Sequence, residues 1–504
     1  NLLNRWYVKT GDYTGQFLVR GLYDRRQGGQ TKEASSLSPF ATSPYKIDLN
    51  TWRVDGFMKN GYVFDAETGT SIGIITSASY HNQQSTYGPR QWNAAQTNTY
   101  LNAIFQTSFD DSATDLWDDH SHDLSAGLSL NFDGYNEELL LASSLSPLTS
   151  NLNRWEVTPG IFAEYTYTYK DKVTLLVGIR EDYSTRYGFF TTPRMNLRYA
   201  PFEWWTVRGS IGLGYRSPNA IADNAAYLAS NRMYYAYDRV SDNGYGIMDG
   251  ILAQERSMNT GISTVFYIPI GKRELQLSGE YYYTKFLDGV IADMDRNLHG
   301  ITLYNMHDVE GAQYFSHNWQ VEASMEILRG WTMTAAFRYT DVKQTTFNTL
   351  VNEWQLRDKP LQNKFKGIIT TSYQTPLKTW QFDLTAQFNG EGRMPDGFVV
   401  PEGSQQYTMH NGYIYHKWYP QLLGQVTKFF RTWSIYLGAE NMTNFTQDSP
   451  IVGERLEAKG KRHGGEGAGF VNPYSSNYDA SMIWAPIHGW KLYLGFRWAL
   501  EREE

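Results

Sequence analysis

Apolar and polar positions alternate with a period of two along nearly the whole chain. In "WKLYLGFRW", residues 490–498, Trp490, Leu492, Leu494, Phe496 and Trp498 fall on one side, and Lys491, Tyr493, Gly495 and Arg497 on the other. Successive side chains of a strand point to opposite faces, so this is a strand with one greasy and one polar face. "KVTLLVGIRED" (172–182), "WTVRGSIGLGYR" (205–216) and "WSIYLGAEN" (433–441) repeat the pattern, the first imperfectly because Leu176 joins its polar face. Similar segments recur from residues 2–9 to the end, about nineteen in all. Long helical periodicity is absent, which makes the chain close to all-β.

The connections show a second period. Short turns follow every other strand: "TGDYTG", "AETGT", "YKDK", "APFEW", "IPIGKR", "EILRG", "TPLKT" and "FRT". The intervening connections, at 27–48, 84–91, 137–153, 217–253, 343–361, 391–412 and 446–488, are longer and richer in Tyr, Asn, Asp and Gly. Short turns on one side and long loops on the other predict a transmembrane antiparallel β-barrel of the outer-membrane kind. A propeller would repeat a blade motif every 40–50 residues, and none is found. A soluble sandwich would bury its apolar face and keep its strands short, whereas many segments here look longer than ten residues and end in aromatics. On this reading the Trp490-to-Trp498 face meets lipid, and Lys491 and Arg497 face a polar interior.

Composition sharpens the class. Aromatic residues make up 15% of the 504-residue chain, an excess suited to interfacial girdles. No run of about 18 apolar residues offers a helical span. The formal net charge of −7 gives no basic footprint for nucleic acid. There is no cysteine, hence neither disulfide nor thiolate-bound metal. The opening "NLLNRWYVKT" reads as the middle of a structure, with no signal peptide, so we expect sequence before it. The last strand follows a long loop and descends towards the periplasm. Counting back, "LNRWYVK" also descends, and in an even-stranded barrel it is an even-numbered strand. In a barrel of 22 strands, three would precede it.

Four segments resemble the C-terminal part of a TonB-dependent outer-membrane transporter, of the kind Bacteroidetes carry for cobalamin or iron chelates. They are "GLGYRSPNAIADNAAYLASNR" (212–232), "NWQVEASMEILRGWTMTAAFRYTD" (318–341), "IYLGAENMTNFTQDSPI" (435–451) and "YDASMIWAPIHGWKLYLGFRW" (478–498). The resemblance spans residues 1–504 and implies a 22-stranded barrel occluded by an N-terminal plug, as barrels of that size are. It implies import of a scarce large nutrient, an iron–siderophore or cobalamin, driven by the inner-membrane TonB complex through an N-terminal segment. Plug and TonB box are not in this sequence. Open sheet edges in lipid would leave unpaired backbone groups costing several kcal/mol each, so missing N-terminal sequence is the expectation. A passive porin-like channel and a surface-binding or assembly component are the rival readings. Lipid, lipopolysaccharide and a surface lipoprotein are the other partners to expect. The tail "ALEREE" after Trp498 departs from the aromatic terminus usual in such barrels.

Catalytic signals are poor: no GxSxG, Walker A or HExxH motif occurs. We expect no enzyme, no cofactor and no bound metal. "DDHSHD" (118–123) reads as a polar turn rather than a metal site for His120 and His122, and "KGKRHGGEGAGF" (459–470) as a surface loop. The loop at 217–253 is the candidate for ligand contact. There Tyr234, Tyr235 and Tyr237 with Arg232 and Arg239 offer aromatic faces and guanidinium groups for a large planar or amphipathic ligand. Arg216 and Asn219 in "YRSPN" complete the set, Arg216 with an anchoring role at the loop's base. No histidine lies between residues 123 and 298, against haem, and the 13 methionines are scattered, against copper.

Overall fold

The computed structural model describes residues 1–29, 45–109, 119–142, 147–236, 252–297, 300–453, 455–456, 470–471, 475 and 477–499. One antiparallel meander dominates it. Its hydrogen-bonded sheet contains 22 strands, but three short ones run on into the wall strand that follows. Pro147–Asn151 and Arg154–Tyr169 share one register on His120–Ala142 (Glu138↔Asn151, then Tyr135↔Arg154). Gly188–Thr191 and Arg194–Phe202 likewise continue one another on Val173–Ser184. Pro193 stands in that break, where it has no N–H to give the ladder. Glu353–Asp358 and Phe365–Gln374 pair in succession with Trp331–Asn348. The wall is therefore crossed nineteen times, as the alternation predicts. Leu2–Thr10 and Lys491–Trp498 form the ends of the meander, each paired on one side only among the described residues.

Every short turn falls where expected. The long connections differ in one respect, because the wall climbs into several of them. The stretch 84–91 is a hairpin: Thr70–Tyr87 turns at Gly88 and Pro89 into Arg90–Ser108. Gly88 has φ +60°, and a β-carbon there would stand 2.1 Å from the Tyr45 ring, so the tight turn requires glycine. "DDHSHD" is also corrected. His120 and His122 begin a strand rather than a polar turn, and their Nδ1 atoms lie 2.5 and 2.6 Å from the hydroxyls of Tyr167 and Tyr165 in an outward-facing aromatic belt. No group of metal-ligating residues forms among the described residues. Of 459–470, only Phe470 is described.

The wall is inside-out. Leu492, Leu494, Phe496 and Trp498 are 62–71% exposed, and their partners Ala439, Leu437, Ile435 and Trp433 share that outer face. The lumen face carries polar pairs, including Arg53–Asp55 and Arg180–Asp182 at 2.6 and 2.5 Å, and Arg194–Glu164. Two glycines let tyrosines lie flat on it. Tyr493 covers Gly438, and Tyr436 covers Gly495.

Candidate functional site

Apolar residues that are truly buried gather in the extracellular connections. After Arg216 the chain enters a short 3₁₀ helix, Ala222–Ala229, and a strand, Met233–Ala236. Asn219 shapes the entry. Its Oδ1 accepts from the amides of Ile221 (3.0 Å) and Ala222 (2.9 Å), and its Nδ2 donates to both carboxylate oxygens of Glu137 (3.1 Å each). This local bonding is what asparagine offers at a turn. Met233–Ala236 then pairs in parallel with Gly300–Asn305, which also pairs with Val290–Asp293. Ile221, Leu228, Tyr234, Ile301 and Leu303 close over Leu139 and Leu141 of the wall. A second cluster packs Met394, Phe398 and Tyr407 around Met482 and Trp484.

Charged groups fasten this cap. Arg232, 3% exposed, donates to Asp479 (2.5 Å) and to the Gly300 carbonyl (3.0 Å), while its own carbonyl accepts from Arg90 (2.7 Å). The last connection is thereby tied to the 217–236 segment, with the Asn231 amide donating to the Tyr478 carbonyl at 2.8 Å. A larger junction centres on Asp295. Its carboxylate accepts from Arg393 (2.6 Å), Arg357 (3.1 Å) and the Thr346 hydroxyl (3.1 Å), and both guanidinium groups also reach Asp396. Burial works against ionising Asp295, but the two arginines outweigh it and hold the carboxyl below its ordinary range. Asp293, buried and beside the Asp295 charge, is pushed up to about 6. His416 stacks on Trp484 with centroids 4.2 Å apart, and burial lowers it to about 4, so it packs as a neutral ring.

Beneath the cap lies a cavity of about 510 Å³. Arg216 reaches it bonded to Glu255 (2.7 Å) and Asp223 (2.6 Å). Phe286 and Tyr314 stack there with planes 6° apart, and Lys359 donates to the Tyr314 hydroxyl at 3.0 Å. Asn224, Tyr227 and Gln344 add polar atoms, and burial raises the Tyr227 phenol to about 12. The cavity thus offers an aromatic pair, the Lys359 ammonium, the Arg216 guanidinium held between two carboxylates, and neutral hydrogen-bonding groups on one concave surface.

Residues 2–442 match the family described as TonB dependent receptor-like, beta-barrel. The chain belongs to that family. This receptor barrel therefore sits in the bacterial outer membrane, and its family is one of receptors rather than enzymes. Its fold is also that of solved receptors. The ferric citrate transporter FecA in its unliganded form superposes with a TM-score of 0.59 at 11% identity, over 97% of this chain and 68% of that one. FpvA of P. aeruginosa bound to a heterologous pyoverdine gives 0.59 at 10%, over 98% and 64%. The siderophore receptor PirA from Pseudomonas aeruginosa gives 0.53 at 12%, over 87% and 66%. The chain thus spans about two thirds of the length of these structures. No curated protein matches the sequence.

Of the seven candidate residues, Arg216 and Asn219 line the receptor's cavity. Arg232 and Tyr234 are buried in the cap, where the Tyr234 hydroxyl donates to the Asn224 carbonyl at 2.8 Å. Tyr235 is half-buried beside Gly300, and Tyr237 and Arg239 lie outside the described residues. The sequence reading missed Phe286 and Tyr314, at the facing ends of two adjacent wall strands, and Lys359, from the following connection. It also missed "ADMDR" and "GRMPD", whose charges read as solvated loop until the fold brings them together.

Proposed function

We propose that this barrel is the membrane wall of a TonB-dependent importer for an iron–siderophore or a related large nutrient. The cavity between the cap and the lumen carries this reading: a capped, aromatic- and cation-bearing pocket above a barrel interior suits capture of a bulky polar ligand. The family match and the likeness to proteins described as siderophore and citrate receptors support the same class. Plug and TonB-contacting peptide would lie in a segment preceding residue 1, consistent with the shorter span relative to those structures. The mechanism has no chemical step. Ligand would bind beneath the cap, and different affinities before and after engagement of the inner-membrane partner would set direction. Arg216, Asn219, Tyr314 and Lys359 are the residues we assign to contact.

The test is whole-cell uptake of radiolabelled ferric siderophores and of cobalamin by a strain lacking the full-length gene. Lost uptake of one class, restored by the full-length gene but not by a copy without its TonB peptide, supports active import. Unchanged uptake of both, in a strain without redundant receptors, overturns the substrate class. Ion conductance by the full-length protein in planar bilayers would point instead to a passive pore.

A further inference from the structure

The lipid-facing wall is not uniformly convex. A depression of about 760 Å³ crosses its last strands. Its origin is a row of cross-strand neighbours, Leu384–Gly424–Ala439–Leu492, in which two small residues stand between two leucines. Phe382 and Leu437 wall it on the periplasmic side, and Met442 on the other. Leu384, Leu437, Met442 and Leu492 are all 42–62% exposed, so the depression opens to the bilayer and not to the lumen.

Two rows nearer the short turns, on the same face, stands Lys428. Its ammonium lies 4.4 Å from the Trp380 ring centroid and 5.8 Å from that of Phe430. Lys428 lies four positions beyond Gly424, about 13 Å along the strand and about 9 Å along the bilayer normal at a strand tilt of about 45°. Within the ~15 Å half-thickness of a bilayer's hydrocarbon, a cation nearer the periplasmic interface thus lies within one acyl-chain length of an apolar recess.

We propose that this recess and Lys428 together hold one phospholipid with an anionic headgroup, taken from the periplasmic leaflet. An acyl chain fills the space over Gly424 and Ala439, and the phosphate pairs with Lys428, which Trp380 and Phe430 keep from swinging away. The headgroup preference follows from charge: membrane-surface cations favour anionic lipid. The chain preference follows from contact, since an unfilled recess leaves its lining without partners on one side.

The full-length protein, reconstituted in phosphatidylethanolamine vesicles doped with phosphatidylglycerol and then stripped with mild detergent, is to be examined by native mass spectrometry. The expected result is one phosphatidylglycerol retained per protein. Gly424→Leu should fill the recess, its β-carbon starting 3.4 Å from the Met442 sulfur, and reduce retention of either lipid about tenfold, near 1.4 kcal/mol. Lys428→Gln should abolish the preference for phosphatidylglycerol while Lys428→Arg keeps it. Heat-modifiable gel mobility confirms that each variant folds. Equal retention of both lipids by the unaltered protein, or retention unchanged by Gly424→Leu, overturns the proposal.

Discussion

The barrel wall and the extracellular cap solve opposite solvation problems with one chain. In the wall, Leu494 is 71% exposed and its neighbours across the strands are apolar too, because lipid is the solvent. In the cap, Leu228 is fully buried, and Asp295 sits in the interior with two arginines. The wall satisfies its backbone through one continuous ladder, as any span through hydrocarbon must. The cap has no such ladder and relies on small sheets, apolar clusters and ion pairs, like a water-soluble domain. The two regions should therefore fail separately.

The largest expected effect lies in the cap. Asp295→Ala leaves the Arg357 and Arg393 guanidinium groups buried with Asp396 alone, a loss of about 3–5 kcal/mol in local stability. Hydrogen exchange should speed up across 290–297 and 392–398 and at the adjoining strand tips in 345–358, while the membrane-spanning part of the wall keeps its protection. Loss of both together would break the comparison. In the wall, Leu494→Arg puts a charge on the lipid face and should cost about 2–4 kcal/mol in folding into vesicles, read by urea titration. The cap amides should be unaffected until the barrel itself unfolds.

Gly438→Ala tests the lumen face at smaller scale. Its β-carbon would lie 2.2 Å from the Tyr493 ring, and displacing that ring should cost about 1–3 kcal/mol. Combining it with Tyr493→Ser should recover part of the loss in the same titration.

The smallest effect is a pH dependence confined to the cap. Asp293 is raised to about 6, so its contribution is fully present below the ordinary carboxylate value near 3.8 and is lost as pH rises through about 6. Asp396 is shifted upwards as well, whereas Asp295 is lowered and acts in the opposite sense. These opposing senses make it the smallest of the effects. Cap amides should exchange faster between pH 4 and 6 than base catalysis alone requires, and Asp293→Asn should flatten that excess.

The wall was legible because its rule is local. A residue at i+2 shares a face with residue i, so "WKLYLGFRW" displays its own orientation, and every short turn could be placed. The height of the wall was harder to read. Beyond the bilayer, polar alternation such as that of residues 84–91 continues a strand but looks like a loop. The cap was the least legible region because its partners are remote. Arg232 meets Asp479 across 247 positions, and Arg393 meets Asp295 across 98. Nothing near "NRMYYAYDRV" distinguishes an arginine facing a ligand from one facing an aspartate of the last connection. The composition of that segment stands out, but two of its side chains, Arg232 and Tyr234, hold the cap together.

Strand length has a consequence for how a solute arrives. The five strands from Tyr13–Gly29 to His120–Ala142 have 17 to 23 residues, whereas the five from Phe365–Gln374 to Lys491–Trp498 have 8 to 11. Crossing the bilayer takes about 9–11, so one flank rises roughly 20–40 Å further along its strands than the other. The two flanks of the mouth are therefore built differently: on the long flank the sheet itself stands above the bilayer, and on the short flank the connections do, with Met394, Phe398, Tyr407, Met482 and Trp484 packed together above the strands. A solute reaching the mouth meets hydrogen-bonded ladder on one side and packed connections on the other.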